Sequence, residues 1–223
     1  MNIDNFNWGI VSESFIEINH REIFIDRIYD RFFSVEEGDV VVDIGASVGP
    51  FIYSILEKKP KHCYVVEPVS EQFDTLKSNL EGYPVSFSKL AITDKSKMVI
   101  EWSEKISRPR CITFSDYIEE NNLYKIDFLK IDCEGGEYNI FEDNISFLTT
   151  VPKIVCEFHL WENTENKFKF RNFRDNILPN FEEYEVYSID GVNIKWDLFN
   201  EHFIDYYQEV VFYFKNKKNL RII

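Results

Sequence analysis

The chain has 223 residues and a formal net charge of −14. This acidic balance argues against binding to nucleic acid or to anionic membranes, since basic side chains supply the affinity for both. A hydrophobic fraction of 44% fits a globular fold with a sizeable core. We predict a single domain over residues 1–223, in which residues 1–34 form a helical segment and a candidate lid.

The four cysteines stand far apart, with no CxxC pair among Cys63, Cys111, Cys133 and Cys156. This spacing is typical of reduced thiols rather than of a disulfide framework or a zinc site. No signal-peptide pattern opens the sequence, and no apolar run reaches membrane-spanning length. We therefore expect a cytoplasmic protein without membrane insertion.

Strand-like and helix-like segments alternate along the chain. Five strand patterns, DVVVDIG, HCYVVEP, PVSFSKLAI, DFLKIDCEG and KIVCEFHLW, are separated by helical patterns such as PFIYSILEKK, SEQFDTLKSNLEG and EYNIFEDNISFL. We expect Ser70 to cap the second of these helices and Gly82 to end it. EYEVYSID and EVVFYFKN predict two closing strands that pair antiparallel. The alternation predicts an α/β fold with right-handed βαβ units around a mainly parallel sheet.

Charged residues fall where the predicted strands end. Asp43, Glu67 and Asp132 follow three of the apolar runs, and Glu157 and His159 close a fourth. In open α/β sheets, ligands bind beyond the carboxyl ends of the strands. The pattern therefore predicts an enzyme site at this edge of the sheet.

The turn after the first strand, DIGASVG, places Gly45 and Gly49 where a ligand can approach the backbone closely. A carboxylate at the end of the next strand, Glu67, is well placed to bind both hydroxyls of a ribose. A structural turn without a ligand would leave this acid unexplained. The turn and the acid together predict a site for an adenosine-containing cofactor.

Two cofactors share this arrangement. A dinucleotide site wants GxGxxG, and Ser47 and Pro50 replace two of its three glycines. S-adenosylmethionine has no phosphate and carries a sulfonium cation, which suits an acidic site beginning at Asp43. The residues favour S-adenosylmethionine and disfavour an NAD-linked oxidoreductase.

Four blocks of the sequence together resemble the FkbM-type S-adenosylmethionine-dependent methyltransferases. They are FSVEEGDVVVDIGASVGPF, YVVEPVSEQFDTLKSNL, DFLKIDCEGGEYNIF and PKIVCEFHLW, and they span Phe33 to Trp161. The most specific block is L-K-I-D-x-E-G-x-E, because few families combine it with the upstream glycine turn. One departure is Ser47, where the family most often has Asn.

The resemblance implies a class I methyltransferase fold, which is Rossmann-like and doubly wound, with a mainly parallel seven-stranded sheet and an antiparallel C-terminal hairpin. It implies methyl transfer, usually to a hydroxyl oxygen of a sugar or a secondary metabolite. The individual roles of Lys130, Asp132, Glu134 and Glu137 stay open. The residues expected to hold the cofactor are Asp43, Gly45, Ala46, Ser47, Gly49 and Glu67.

Alternate residues of a strand share one face, so Lys130, Asp132 and Glu134 would form one row beside Glu157 and His159 on the neighbouring strand. Lys130 would pair with Asp132 or with Glu157 and make the buried charges tolerable. Methyl transfer to oxygen requires alignment and a proton acceptor. We expect Asp132 or His159 to accept the proton and Glu134 to orient the hydroxyl or the base. His159 as a structural histidine is the competing interpretation.

A divalent metal ion is another alternative, because Asp132, Glu134, Glu157 and His159 offer suitable ligand atoms. However, Lys130 in the same row would repel a cation, and no tight ligand motif is present. We predict no metal.

One basic cluster stands out, with cations interleaved between Phe168, Phe170 and Phe173. This pattern is typical of an amphipathic helix whose cations are solvated. Alternatively, the cluster and the arginines Arg108 and Arg110 together form the edge of a binding site for an anionic acceptor such as a nucleotide-linked sugar. Its cations are Lys167, Lys169, Arg171 and Arg174.

The expected partner is a small-molecule or glycan acceptor, and no nucleic acid. N-methylation, or modification of a protein or lipid-linked acceptor, is the nearest enzymatic alternative. Outside the enzymes, the alternative is a catalytically silent protein that binds S-adenosylmethionine or acts as a scaffold.

Overall fold

The computed structural model describes residues 6–9, 11–102, 105–160 and 164–217. Residues 1–5 and 10 of the predicted N-terminal segment lie outside these residues. So do residues 103–104, 161–163 and 218–223 of the predicted domain. The strands are β1 (Val40–Ile44), β2 (His62–Val66), β3 (Val85–Ser88), β4 (Leu90–Ile92), β5 (Ile100–Trp102), β6 (Lys105–Ser107), β7 (Arg110–Ile112), β8 (Phe128–Ile131), β9 (Lys153–His159), β10 (Glu183–Ser188) and β11 (Glu209–Lys215).

Seven of these strands form the central sheet, in the spatial order β10-β11-β9-β8-β1-β2-β3. The pairs from β9 through β8, β1 and β2 to β3 are parallel. Strand β11 is antiparallel to both β9 and β10. The predicted mainly parallel sheet with an antiparallel C-terminal hairpin is confirmed, and the carboxyl ends of β1, β2, β8 and β9 meet at one edge.

The helices are α1 (Glu13–His20), α2 (Pro50–Ile55), α3 (Ser70–Asn79), α4 (Phe114–Glu120), α5 (Glu137–Leu148), α6 (Thr164–Asn172) and α7 (Phe203–Tyr206). Turns of π-helix occupy Arg21–Ile25 and Phe173–Ile177. Turns of 3₁₀ helix occupy Leu56–Lys58, Leu178–Asn180 and Lys195–Asp197. Among the described residues, no helix is both long and apolar enough to span a bilayer.

Two local predictions differ from the structure. Ser70 is the first residue of α3 and not its cap, because the N–H of the preceding Val69 is already held by the Glu67 carboxylate at 2.7 Å. The predicted third strand divides into β3 and β4, and β4 leaves the main sheet to pair with β7. Gly82, with φ +86°, follows the end of α3, as expected.

The core lies on both faces of the sheet, because successive residues of the central strands point to opposite sides. On one face Leu129 and Ile131 join Phe141 of α5 in a buried cluster. On the other face Phe128 packs in a cluster that includes Ile28 of the N-terminal segment. That second cluster fixes the N-terminal segment against the sheet.

Candidate functional site

The turn after β1 requires glycine at Gly45. Its φ is +79°, and a Cβ there would lie 1.6 Å from the backbone oxygen of Asp132. The N–H groups of Gly45 and Ala46 both donate to the carbonyl of Val66, each at 3.0 Å. Lys130 Nζ donates to the Gly45 carbonyl at 2.7 Å. The turn is therefore tied to the strands on both of its sides.

Glu67 connects this turn to the end of β2. Its side chain is buried, with Oε2 accepting from Ser47 N at 2.9 Å and Oε1 accepting from Val69 N at 2.7 Å. Burial raises the pKa of Glu67 to about 7, although both hydrogen bonds act in the opposite direction. The carboxylate thus lies beside the glycine turn, where the sequence predicts a ribose-binding acid.

Ser47 and Gly49 complete the turn, both with left-handed backbone. Ser47 has φ +51°, a region that Asn tolerates better than Ser, which gives a physical reason for Asn at this position in the family. Its buried Oγ makes no hydrogen bond within the described part of the chain. A Cβ at Gly49 would meet Leu76 Cδ1 at 2.7 Å, so glycine lets α2 begin close to α3.

Asp43 and Lys130 form a buried ion pair beneath the turn. Lys130 Nζ lies 3.2 Å from Asp43 Oδ1 and 3.4 Å from Asp132 Oδ2. Burial lowers the pKa of Lys130, but the charges of the two aspartates outweigh it, and the pKa is raised. The predicted pairing of Lys130 with Asp132 is confirmed. Asp43 is fully buried, so its charge acts on the site through this lysine.

The predicted row of Lys130, Asp132 and Glu134 on one strand is wrong. Strand β8 ends at Ile131, and Glu134 has φ +57°, which no strand residue adopts. Gly135 and Gly136 then lead into α5, so Glu134 lies in a turn with an exposed side chain. The turn nevertheless brings its carboxylate within 3.6 Å of His159 Nε2.

His159 lies at the centre of the acidic cluster. Its Nδ1 is 3.0 Å from Glu137 Oε1, and its Nε2 is 3.9 Å from Asp132 Oδ1. Burial lowers the pKa of the imidazole, but Glu137, Asp132 and Glu134 together raise it to about 10. The three predicted catalytic residues therefore lie together, with the imidazole carrying a positive charge at neutral pH.

Tyr29 is the site residue that the sequence reasoning missed. Its hydroxyl lies 2.8 Å from Asp132 Oδ2 and 2.9 Å from Glu157 Oε2. Lys130 Nζ lies 4.9 Å from the centroid of the tyrosine ring. No sequence motif marks this tyrosine, which lies 103 residues before Asp132 in the chain.

Ligand-type atoms of Asp132, Glu137 and His159 all lie within 4.8 Å of one another, a spacing also found around metal ions. Here the same carboxylates face the Lys130 ammonium and the protonated imidazole, so the protein's own cations compensate their charge. We assign no metal ligands, and the expectation of a metal-free site stays a prediction.

Three of the four cations of the basic cluster, which spans α6 and the following π-helical turn, pair with acids. Lys167 lies 2.6 Å from Asp205, and Lys169 lies 2.8 Å from Glu165. Arg174 lies 2.7 Å from Asp175. Phe170 and Phe173 are buried, whereas Phe168 is 71% exposed. This arrangement favours the amphipathic-helix interpretation over the edge of a binding site for anionic acceptors. Arg110 is likewise paired, with Glu120.

The residues present fit S-adenosylmethionine. Gly45 adds no side chain to the turn, because its Cα lies too close to the Asp132 backbone for a Cβ. The buried Ser47 Oγ lies in the same turn and makes no hydrogen bond to the described residues, so it can bind a polar group of a ligand. Glu67 adds a carboxylate at the end of β2, and Asp132 and Glu134 supply negative charge facing the same edge. A sulfonium cation is favoured by such surroundings, and a pyrophosphate is not.

A family model described as the methyltransferase FkbM domain matches residues 43–186. Methyltransferase 1 of Beauveria bassiana is 26% identical over 164 residues, which cover 56% of this chain and 66% of the relative. Hexuronic acid methyltransferase AglP of Haloferax volcanii is 24% identical over 142 residues, covering 56% of this chain and 57% of the relative. The chain thus spans less than two thirds of the length of either relative.

Among solved structures, a chain of a fibrillarin/Nop5p complex superposes with a TM-score of 0.54. The superposition covers 87% of this chain and 78% of the other, at 13% sequence identity. At this identity the likeness shows the fold alone, and the sheet order agrees with a class I methyltransferase fold.

Proposed function

Because the chain belongs to the FkbM methyltransferase family, we propose that it methylates a hydroxyl oxygen on a sugar of a glycan precursor or on a related small metabolite. Its cofactor is S-adenosylmethionine, which supplies a methyl group already activated on a sulfonium. The hexuronic acid methyltransferase among the relatives supports a sugar as the acceptor. The residues proposed to hold the cofactor directly are Gly45, Ala46, Ser47, Gly49 and Glu67, and Asp43 is proposed to act on it through Lys130.

The single observation that carries this proposal is the position of Asp132. Its carboxylate comes directly after β8, and its backbone oxygen packs against Gly45, so the proton acceptor and the cofactor turn adjoin. Burial raises the pKa of Asp132, but Lys130, His159 and the Tyr29 hydrogen bond outweigh it, and the pKa is lowered. Asp132 is therefore ionised and able to take a proton at neutral pH.

Between the two proposed bases, the electrostatics favour Asp132 over His159. An imidazole with a pKa of about 10 already holds its proton at neutral pH and cannot accept another. We assign His159 the role of a cation that orients the carboxylates on either side of it. We propose that Glu134 orients the acceptor hydroxyl from the solvent side, which its 69% exposure and its 3.6 Å distance from Nε2 support.

The reaction leaves this chain with two tasks. It must align the acceptor oxygen with the methyl carbon, and it must accept the hydroxyl proton as the new carbon–oxygen bond forms. A positioned base contributes about 10²–10⁴-fold to such a step.

The test combines binding and turnover. Calorimetry should detect S-adenosylmethionine binding to the wild type and no NAD binding. Transfer of labelled methyl to a panel of neutral and acidic sugars should then fall at least about 100-fold in Asp132→Asn. The control Asp175→Asn, which changes an exposed acid paired with Arg174 and not with any residue of the candidate site, should transfer normally. Binding without transfer to any sugar, amine or metabolite would support the silent alternative and overturn the proposal.

A further inference from the structure

The hydroxyl of Tyr29 lies between two carboxyl groups, 2.8 Å from Asp132 Oδ2 and 2.9 Å from Glu157 Oε2. Both distances are those of hydrogen bonds. A phenol has one proton to donate, and an ionised carboxylate has none. One O–H shared between two ionised carboxylates would leave two like charges together in a buried site. Two full hydrogen bonds form when one of the two carboxyl groups holds a proton and donates it to the phenol oxygen.

The surrounding charges decide which carboxyl group holds that proton. Lys130 Nζ lies 3.4 Å from Asp132 Oδ2, and His159 Nε2 lies 3.9 Å from Asp132 Oδ1, so both cations face Asp132. Glu157 is buried in β9, and burial with the charge of Asp132 raises its pKa well above the ordinary range. The proton therefore rests on Glu157, and Tyr29 donates to Asp132.

Other charged groups face this trio from every neighbouring element. On the N-terminal segment, the charge of Glu22 acts on both Tyr29 and Glu157, and burial raises the pKa of Glu22 to about 7. Burial also raises the pKa of Tyr29 itself, so the phenol keeps its proton. Asp43 of β1, Lys130 of β8 and His159 of β9 act on Asp132, and Glu209 of β11 acts on Glu22.

The position of Tyr29 is fixed from two sides. Its ring packs between the Lys130 ammonium, 4.9 Å from the centroid, and the Phe51 ring, 5.7 Å away. The preceding carbonyl, of Ile28, accepts a hydrogen bond from Tyr213. The hydroxyl is therefore held in place by packing and not only by its own hydrogen bonds.

We propose that Tyr29 is a positioning residue that joins Asp132 and Glu157 into a pair sharing one proton, and so keeps Asp132 ready to accept the proton of the acceptor. This inference rests on the proposed function. At rest Glu157 donates to Tyr29 and Tyr29 donates to Asp132. During transfer a lone pair of the acceptor oxygen would form the new O–C bond while the methyl–sulfur bond breaks and its electron pair stays on the sulfur. The O–H proton of the acceptor moves to Asp132, and the O–H electron pair stays on the oxygen. The pair then holds two protons until one is released to water.

The first measurement needs no methyl acceptor. In protein labelled with ¹³C at the side-chain carboxyl groups, NMR near pH 7 should show a protonated glutamate signal that is missing in Glu157→Gln. The partly protonated signals of Glu22 and Glu67, whose pKa values are both about 7, should remain in that variant. Tyr29→Phe removes the donor to Asp132 and should raise the Asp132 titration midpoint by about one pH unit. The matched control is Tyr213→Phe, which deletes one buried hydroxyl that anchors the same segment without contacting a carboxylate. In Tyr213→Phe the titration midpoint of Asp132 should equal that of the wild type.

The second measurement is the pH profile of kcat/KM. The midpoint of the acidic limb, where Asp132 loses its proton, should rise by about one pH unit in Tyr29→Phe and be unchanged in Tyr213→Phe. A purely structural role of Tyr29 would not cause this difference between the two variants. Glu157→Gln keeps a donor toward Tyr29 and should leave the Asp132 midpoint near the wild-type value, which tests the pairing even if Tyr29→Phe fails to fold. An ionised Glu157 at neutral pH, or equal Asp132 midpoints in the two tyrosine variants, would overturn the inference. Absence of turnover with normal carboxyl titrations would contradict the proposed function alone.

Discussion

Glu137 and His159 form a buried pair across the start of α5 and the end of β9, with Oε1 3.0 Å from Nδ1. The same carboxylate oxygen also accepts from the N–H of Cys133 at 3.0 Å. Glu137 is fully buried, so the pair exchanges little with water. A carboxylate in this position fixes the ring orientation of the imidazole and holds a proton on it.

Glu137→Gln should lower the pKa of His159. The largest effects that raise this pKa are the hydrogen bond and the charge of Glu137, and the amide removes the charge while keeping an oxygen toward Cys133. We expect the midpoint to fall from about 10 by at least about one pH unit, measured by NMR titration of the imidazole. Glu134→Gln, at an exposed carboxylate, is the control and should cause a smaller fall. Equal shifts in the two variants would contradict the assignment.

The folded protein should lose stability as the pH rises toward 10. His159 has its pKa raised from 6.5 to about 10 by folding, so its contribution is complete below about 6.5 and is lost as the pH passes through about 10. The free energy of unfolding should therefore decrease by about 1–3 kcal/mol more in the wild type than in His159→Gln across this window. Urea unfolding of both proteins at several pH values measures the difference. Parallel curves would show that His159 titrates normally in the folded state.

Gly45→Ala should disrupt the cofactor turn. The new Cβ would lie 1.6 Å from the Asp132 backbone oxygen, and neither strand end can move freely. We expect a loss of several kcal/mol in the free energy of unfolding and of detectable S-adenosylmethionine binding. Gly38→Ala is the matched control, because Gly38 also has positive φ but nothing lies within 4 Å of its added Cβ. It should cost only about 1–2 kcal/mol of backbone strain and keep binding.

Methyl transfer should continue in excess chelator. The carboxylates of Asp132 and Glu137 are compensated by Lys130 and by protonated His159, so the acidic cluster needs no added cation. Turnover after treatment with EDTA, compared with turnover after adding Mg²⁺, Mn²⁺ or Zn²⁺, measures this. Activity that disappears with chelator and returns with one ion would establish a metal-dependent enzyme instead.

The sequence by itself determined which segments form strands and helices, and how these elements alternate along the chain. Apolar runs such as those ending at Asp43 and Asp132, and the helical spacing between them, follow from local periodicity, which needs no tertiary information. The glycine turn and Glu67 were also readable, because backbone freedom and a strand-end acid are local signals. The errors at Ser70 and Glu134 arose where a neighbouring carboxylate or a left-handed turn ended the regular pattern.

Only the tertiary structure decided which charges meet. The pairing of Asp43 with Lys130 depends on the register between β1 and β8, and Tyr29 reaches Glu157 across 128 residues of sequence. Protonation follows from those contacts, since a pKa reflects burial and every nearby charge together. The sequence could therefore name the acids of the site and its histidine, but not which of them hold a proton.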